Sequence, residues 1–305
     1  MAKENVWKTY TEEQCQELEA LAKGYKEFLN NGKTERECVT ETIRLAEAAG
    51  YQELEAVIQQ GKTLKPGDKV YSVCMEKAIA LFLLVEEPMQ QGMRILGAHI
   101  DSPRLDLKQN PLYEDSEMAY LDTHYYGGVK KYQWVTIPLA MHGVVVKKDG
   151  MVTEICVGED EDDPVLCITD LLPHLASEQM EKKARVVIEG ENLDVLIGSR
   201  PLVEEEECDC EDDLAKMDGA ESEKKEKKAS KDAVKAAILK ILKEKYDMEE
   251  DDFLSAELEI VPAGKARDCG LDRSMVAAYG QDDRVCGYTS LAAQLEMTDA
   301  KQTCC

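Results

Sequence analysis

GAHIDSPRLDLK, residues 97–108, follows an apolar run, Met93 to Leu96, and carries a histidine and an aspartate two positions apart. The run reads as a strand, and alternate strand residues point to the same side. His99 and Asp101 then face one way at the strand's C-terminal end, where open α/β sheets place their sites. Pro103 cannot donate to a strand ladder, so it frees the tip from pairing. A histidine so placed can bind a metal through one ring nitrogen while a carboxylate or carbonyl holds the other. A surface histidine and a turn aspartate before Ser-Pro would give the same short pattern.

Upstream, Leu18, Leu21, Tyr25 and Leu29 recur at helical spacing, and Asn30-Asn31-Gly32 stops that helix. Thr34 with Glu37 forms a capping box for a second helix that runs to about Gly50. Lys65-Pro66-Gly67-Asp68 is a turn, and Val70–Val73 and Ala78–Val85 read as strands. Downstream the texture changes. Short β-type runs, Thr136–Leu139, Gly143–Lys147, Val152–Val157 and Ala184–Glu189, alternate with turns. EEEECDCEDD (204–213) is almost wholly acidic and EKKEKKASK (223–231) mostly basic, the composition of a solvated loop. In KDAVKAAILKILKEKY (231–246), Val234, Ile238, Ile241 and Tyr246 are assigned one helix face. Leu254–Val261 reads as a strand and Val285–Leu295 as a helix. The expected class is α/β, a mixed sheet with flanking helices interrupted by a β-rich insert.

The chain has 305 residues, 44% hydrophobic, enough for a real core. Its 62 acids against 37 bases give a net charge of −25. That disfavours nucleic acid and anionic membrane as partners, because both call for basic surface. No apolar run approaches the ~20 residues of a bilayer span, and the opening residues show no signal core. A cytoplasmic location is expected, with the 11 cysteines as free thiols. Cys208-Asp209-Cys210 is a lone Cys-x-Cys, weak support for a thiol–metal module. No Gly-rich loop joins a strand to a helix in a nucleotide-binding pattern.

GQDDRVCGYTSL (280–291) sets two acids before a helix-like run. They can cap that helix or bridge cations. Taken together, GAHIDSPRLDLK, THYYGGVKKYQW (123–134), IPLAMHGVV (137–145) and GQDDRVCGYTSL resemble the aspartyl aminopeptidase family of dinuclear zinc peptidases, in its bacterial branch. The resemblance implies a peptidase α/β domain, here 1–107 and 231–305, and an inserted β-rich dimerisation domain, 108–230, with the charged loop near 203–230. It implies two zinc ions in a complete subunit. His99 is a zinc ligand, Asp101 the acid supporting it, and Asp282 the bridging ligand, with Asp283 as its substitute. His124 matches a histidine that reaches a neighbouring subunit's active site; a structural histidine beside a glycine turn is the alternative. His142 and His174 are expected to be structural. The implied partners are peptide substrates and further copies of the chain.

In the family, a Glu-Glu pair, another carboxylate and a histidine follow the Asp-Asp motif. Glu296 and Asp299 do not stand in that context. The expectation is a chain cut short of its full ligand set, since zinc takes about four contacts. It should bind zinc poorly and be inactive alone, or serve as a non-catalytic oligomerisation piece.

Overall fold

The computed structural model describes residues 4–202 and 232–305. The charged loop and Cys208-Asp209-Cys210 lie outside the described residues. Thr11 and Thr34 open the two N-terminal helices, α1 (Glu12–Asn31) and α2 (Glu35–Ala48), each through a reciprocal capping box. Each box satisfies two orphan backbone donors at its helix start. Tyr25, Phe28 and Leu29 of α1 and Cys38, Val39 and Ala46 of α2 turn inward. They pack over a small sheet. Strand β1 (Gln52–Glu53) leads into α3 (Leu54–Gln59), and β2 (Lys69–Cys74) forms a hairpin with β3 (Ala78–Leu83). Phe28, Tyr51, Tyr71 and Leu81 form the centre of this cluster. Each such side chain contributes about 1.5–3 kcal/mol on burial.

Met93–Ala98 is not a strand. Arg94 and Leu96 donate to the carbonyls of Thr303 and Cys305 at 2.9 and 2.8 Å, and Arg94 makes a single bridge with Cys304. Its residues therefore gain pairing on one side only, and Ile95 and Leu96 remain exposed. His99 thus sits on an extended connector, just before a long strand rather than at the end of one.

That strand is β4 (Arg104–Asp115). It pairs with β5 (Met118–Tyr126) and is followed by β6 (Leu139–Val146), β7 (Val152–Val157), the short α4 (Ser177–Met180), β8 (Val195–Gly198), α5 (Ala233–Tyr246) and β9 (Ala256–Pro262). The six strands form one sheet in the order β7-β6-β9-β4-β5-β8, with every neighbouring pair antiparallel. Ala184–Glu189, expected as a strand, is a run of turns. The helix α5 packs on the sheet's apolar core through Val234, Ile238, Leu242 and Tyr246. Ile241, assigned to that face, is 53% exposed, and Leu242 takes its place. The large buried residues of this core include Leu105, Leu121, Leu139 and Ile260.

A second row crosses the sheet and is polar. His142 on β6 lies opposite Glu259 on β9, Glu259 opposite Asp106 on β4, and Asp106 opposite His124 on β5. The N-terminal turn of α2 supplies Glu37 to His142 and Glu35 to Arg104. After β9, the ribbon β10 (Arg267–Cys269) and β11 (Met275–Ala277) leads into α6 (Gln281–Glu296). Tyr288 of α6 packs against the rings of Tyr25 and Phe28, with centroids 5.5 and 5.4 Å away. No described helix is long and apolar enough to cross a membrane. The nine described cysteines are unpaired among the described residues.

Candidate metal centre

Two loops distant in sequence meet, and side chains donating to backbone carbonyls hold them together. Ser102, buried beside His99, donates its hydroxyl to the Asp282 carbonyl at 3.0 Å. Tyr279 donates its hydroxyl to the Pro103 carbonyl at 3.1 Å. Arg284 is 1% exposed. Its Nε donates to the Ile100 carbonyl at 2.8 Å and its Nη2 to the Lys33 carbonyl at 3.0 Å. The guanidinium also lies 5.4 Å from the Tyr279 ring centre, a favourable cation–π arrangement. This one side chain therefore ties the histidine loop, the Asp-Asp loop and the start of α2.

Gly280 makes room for it. Its φ is +78°, and a Cβ there would overlap the Arg284 guanidinium. Gly280→Ala is expected to lower stability by about 1–3 kcal/mol, from the left-handed backbone and the displaced arginine together. A urea midpoint equal to that of the parent would refute this.

The lacing brings His99 and the acid pair face to face. His99 Nδ1 lies 3.1 Å from the Asp101 carbonyl and 3.2 Å from its Oδ1. Nδ1 is thereby assigned the proton, leaving the Nε2 lone pair for a metal. Nε2 lies 3.9 Å from both Asp282 Oδ1 and Asp283 Oδ2. The Asp282–Asp283 peptide is cis, and no side-chain cap closes the start of α6 at Gly280. The Asp282 side chain is 95% exposed and that of His99 55%, so both remain open to a ligand. Burial pushes the Asp101 carboxyl up, but the Tyr126 hydroxyl and the His99 ring outweigh it and hold the carboxyl below its ordinary range. His99, Asp101 and Tyr126 line a cleft of about 500 Å³ together with the apolar side chains Leu96, Ile100 and Leu291.

Imidazole and carboxylate are ordinary zinc donors at roughly 2.0–2.2 Å, which sets donor atoms of one tetrahedral ion roughly 3.3 Å apart. The observed 3.9 Å separations are a modest contraction away from that spacing. Among the described residues no group of three or more such donors converges as a finished ion site. The donor chemistry fits zinc, and the set is partial. Asp282 and Asp283 stand beside this cleft, outside its lining, and so does His124, which is exposed on β5 with its ring stacked on Tyr125 at 5.4 Å. His142 is buried between Glu37 and Glu159, at 2.7 and 3.3 Å.

Sequence reasoning did not single out Ser102, Arg284, Arg104 or Tyr126. All four stand inside or beside the quoted motifs. An arginine directly after the acid pair, in a run otherwise suited to burial, was the available signal for Arg284.

An imidazole anchored through one nitrogen and turned toward paired carboxylates beside an open cleft is the kind of donor set found in metal-dependent hydrolases. The family described as "Aminopeptidase I zinc metalloprotease (M18)" matches residues 28–304. A probable M18 family aminopeptidase 1 of Clostridium acetobutylicum is 58% identical over 300 residues, covering 98% of this chain and 60% of the relative. The crystal structure of an M18 aminopeptidase from Thermotoga maritima superposes with a TM-score of 0.84 at 42% identity, over 100% of this chain and 60% of that one. That of aminopeptidase I from Borrelia burgdorferi gives 0.78 at 35% identity, over 99% and 63%. The chain belongs to the M18 family. It spans about 60% of the length of these curated relatives.

Proposed function

We propose that this chain serves zinc-dependent removal of single N-terminal residues from peptides. The observation that carries this reading is His99 Nε2 facing both Asp282 and Asp283 at 3.9 Å while Nδ1 is anchored. His99 and Asp282 are the proposed metal ligands, with Asp283 as the substitute for Asp282. A carboxylate has two oxygens and can serve two cations, which is the basis for assigning the pair to a two-ion site. Zinc, when bound, supplies Lewis acidity toward the scissile carbonyl. The chain's own part is to hold the ligands. Asp101 orients His99, Ser102 and Arg284 fix the two loops against each other, and the apolar cleft wall shields the reacting end of a peptide from water.

The described donors fall short of the roughly four contacts zinc takes, so weak zinc binding and impaired turnover are proposed for this polypeptide alone. The second reading is a non-catalytic assembly piece. The exposed apolar side chains Leu171, Leu172, Leu175 and Met180 favour assembly in either case. A second copy is their proposed partner, with His124 offered to a neighbouring subunit's cleft. We place the insert boundaries near residues 104 and 262 rather than 108 and 230, because β9 pairs into one sheet with β4 and α5 packs on that sheet's core. A cytoplasmic location agrees with the unpaired cysteines.

The test is zinc affinity, metal content and cleavage of a panel of aminoacyl chromogenic substrates. His99→Ala is expected to weaken zinc binding at least about a hundredfold, since it removes a direct ligand and leaves carboxylates alone. An unchanged affinity removes His99 from the ligand set. Two zinc ions per chain with rapid turnover would overturn the proposed impairment.

A further inference from the structure

We propose that Tyr126, clamped by Arg104, is a positioning residue that sets the Asp101 carboxylate behind His99, so that the β4–β5 hairpin tunes metal affinity. This rests on the reading of His99 as a metal ligand. Asp101 has two carboxylate oxygens, and both are engaged. Oδ1 lies 3.2 Å from His99 Nδ1, and Oδ2 accepts the Tyr126 hydroxyl at 2.9 Å. Rotation of the carboxylate about its own axis breaks both contacts at once. The hydroxyl therefore selects the orientation in which Asp101 faces the imidazole. Groups that hold a metal-ligating histidine through its second nitrogen commonly change affinity by about ten- to a hundredfold when removed.

Tyr126 is itself fixed. It lies opposite Arg104 in the β4–β5 register, and the Arg104 guanidinium sits 4.2 Å from its ring centre. Arg104 is nearly buried and held by three carboxylates: Glu35 at 2.9 Å, Asp106 at 2.7 Å and Glu259 at 3.1 Å. They come from α2, β4 and β9. The ring is thus pressed against a guanidinium that three elements hold in place, and its hydroxyl points to the connector that carries the site. The six-stranded sheet reaches His99 through this path, by way of Tyr126 on β5 and Glu259 on β9, both outside the histidine motif. Nothing in the two-residue spacing of His99 and Asp101 requires a tyrosine; the contact exists only because the hairpin register places one there.

Tyr126→Phe removes the hydroxyl and keeps the ring on Arg104, so the fold is expected to stand. The experiment measures zinc affinity by competition with a chromophoric chelator, the visible absorption of the cobalt-substituted protein, and the melting temperature. The parent, Y126F, H99A and Tyr113→Phe are compared; Tyr113 hydrogen-bonds Asp194 and serves as a control for loss of a phenol. The expected result is an affinity about tenfold weaker in Y126F, an altered cobalt spectrum and an unchanged melting temperature, with Y113F like the parent. If H99A loses the metal and Y126F binds as the parent does, Tyr126 has no positioning role. If H99A and Y126F both bind as the parent does, the ligand reading of His99 fails and this proposal with it. Crystal structures of the metal-free parent and Y126F add a readout that needs no bound ion. The Asp101 carboxylate is expected to turn away from His99 in Y126F, and an unmoved carboxylate overturns the proposal.

Discussion

Arg284→Met is expected to lower folding stability by about 3–5 kcal/mol and to separate the two halves of the candidate site. Methionine fills much of the same volume, so the cost is not a cavity. It lies in the carbonyls of Ile100 and Lys33, which lose charged donors at 2.8 and 3.0 Å. Hydrogen bonds to charged groups are worth about 1.5–3 kcal/mol each, and a buried acceptor left unpaired adds its desolvation penalty. The loop bearing Asp282 then has Ser102 and Tyr279 as its remaining ties to the histidine loop. Urea unfolding measures the first effect, and zinc competition the second. Arg284→Lys keeps the charge but has a single donor nitrogen where two separated ones are used, and should fall between. A methionine variant as stable as the parent, with undiminished zinc affinity, would show that the lacing is incidental.

The second large effect is expected at His142. This side chain is 2% exposed, and Glu37 and Glu159 approach its two ring nitrogens, with Lys33 3.4 Å from Glu159 and Glu259 opposite on β9. Burial, the largest influence, pulls its pKa down. Hydrogen bonds to Cys156, Glu159 and Glu37 outweigh burial and raise it to about 11. Glu37 shows the complementary direction: burial pushes it up, and the bonds to His142 and to the Thr34 and Lys33 backbone bring it below its usual value. His142→Ala removes one partner of a buried charge cluster, which commonly costs about 3–5 kcal/mol. The partly exposed Glu37 places the expected loss near 3 kcal/mol, at the lower end of that range.

The pH dependence follows from the raised pKa. The folded protein holds the His142 proton more tightly than the unfolded chain. The stabilisation is therefore fully present below the unfolded value of about 6.5 and is lost as pH rises toward about 11. The lowered Glu37 value works the other way, its share fading as the pH falls through its folded-state pKa. Unfolding at pH near 6 and near 9 should show the gap between parent and His142→Ala narrowing at the higher pH. A gap that widens there would mean the imidazole is neutral in the fold.

Local signals read well where the physics is local. The capping box at Thr34, the stop at Gly32 and the turn at Pro66-Gly67 depend on residues within a few positions of one another, and all appear. Apolar runs were less reliable. Met93–Ala98 has the composition of a strand but pairs only with residues 303–305, and Ala184–Glu189 folds into turns. Composition records a preference for burial; pairing requires a neighbour. On α5 the choice of Leu242 over Ile241 was a matter of which side the sheet lies on, which helical spacing alone leaves open.

The register of β4 with β5 shows most directly what sequence could not supply. An unbroken register from Asp115 and Met118 at the turn would set Arg104 against Val129. An irregularity between Leu107 and Leu112 shifts the pairing, and Arg104 meets Tyr126 instead. The polar row from His142 to His124 depends on the same pairings across four strands. Sequence by itself determined the family, the cap of α2 and the residue types of the candidate site, because motifs and capping boxes are encoded in short contiguous stretches. Tertiary structure alone decided that Nε2 of His99 faces Asp282 and Asp283, and that Arg284, Ser102 and Tyr126 hold that arrangement. Those contacts join residues up to 251 positions apart, and their geometry is set by how helices and sheets bury their apolar faces rather than by any local preference.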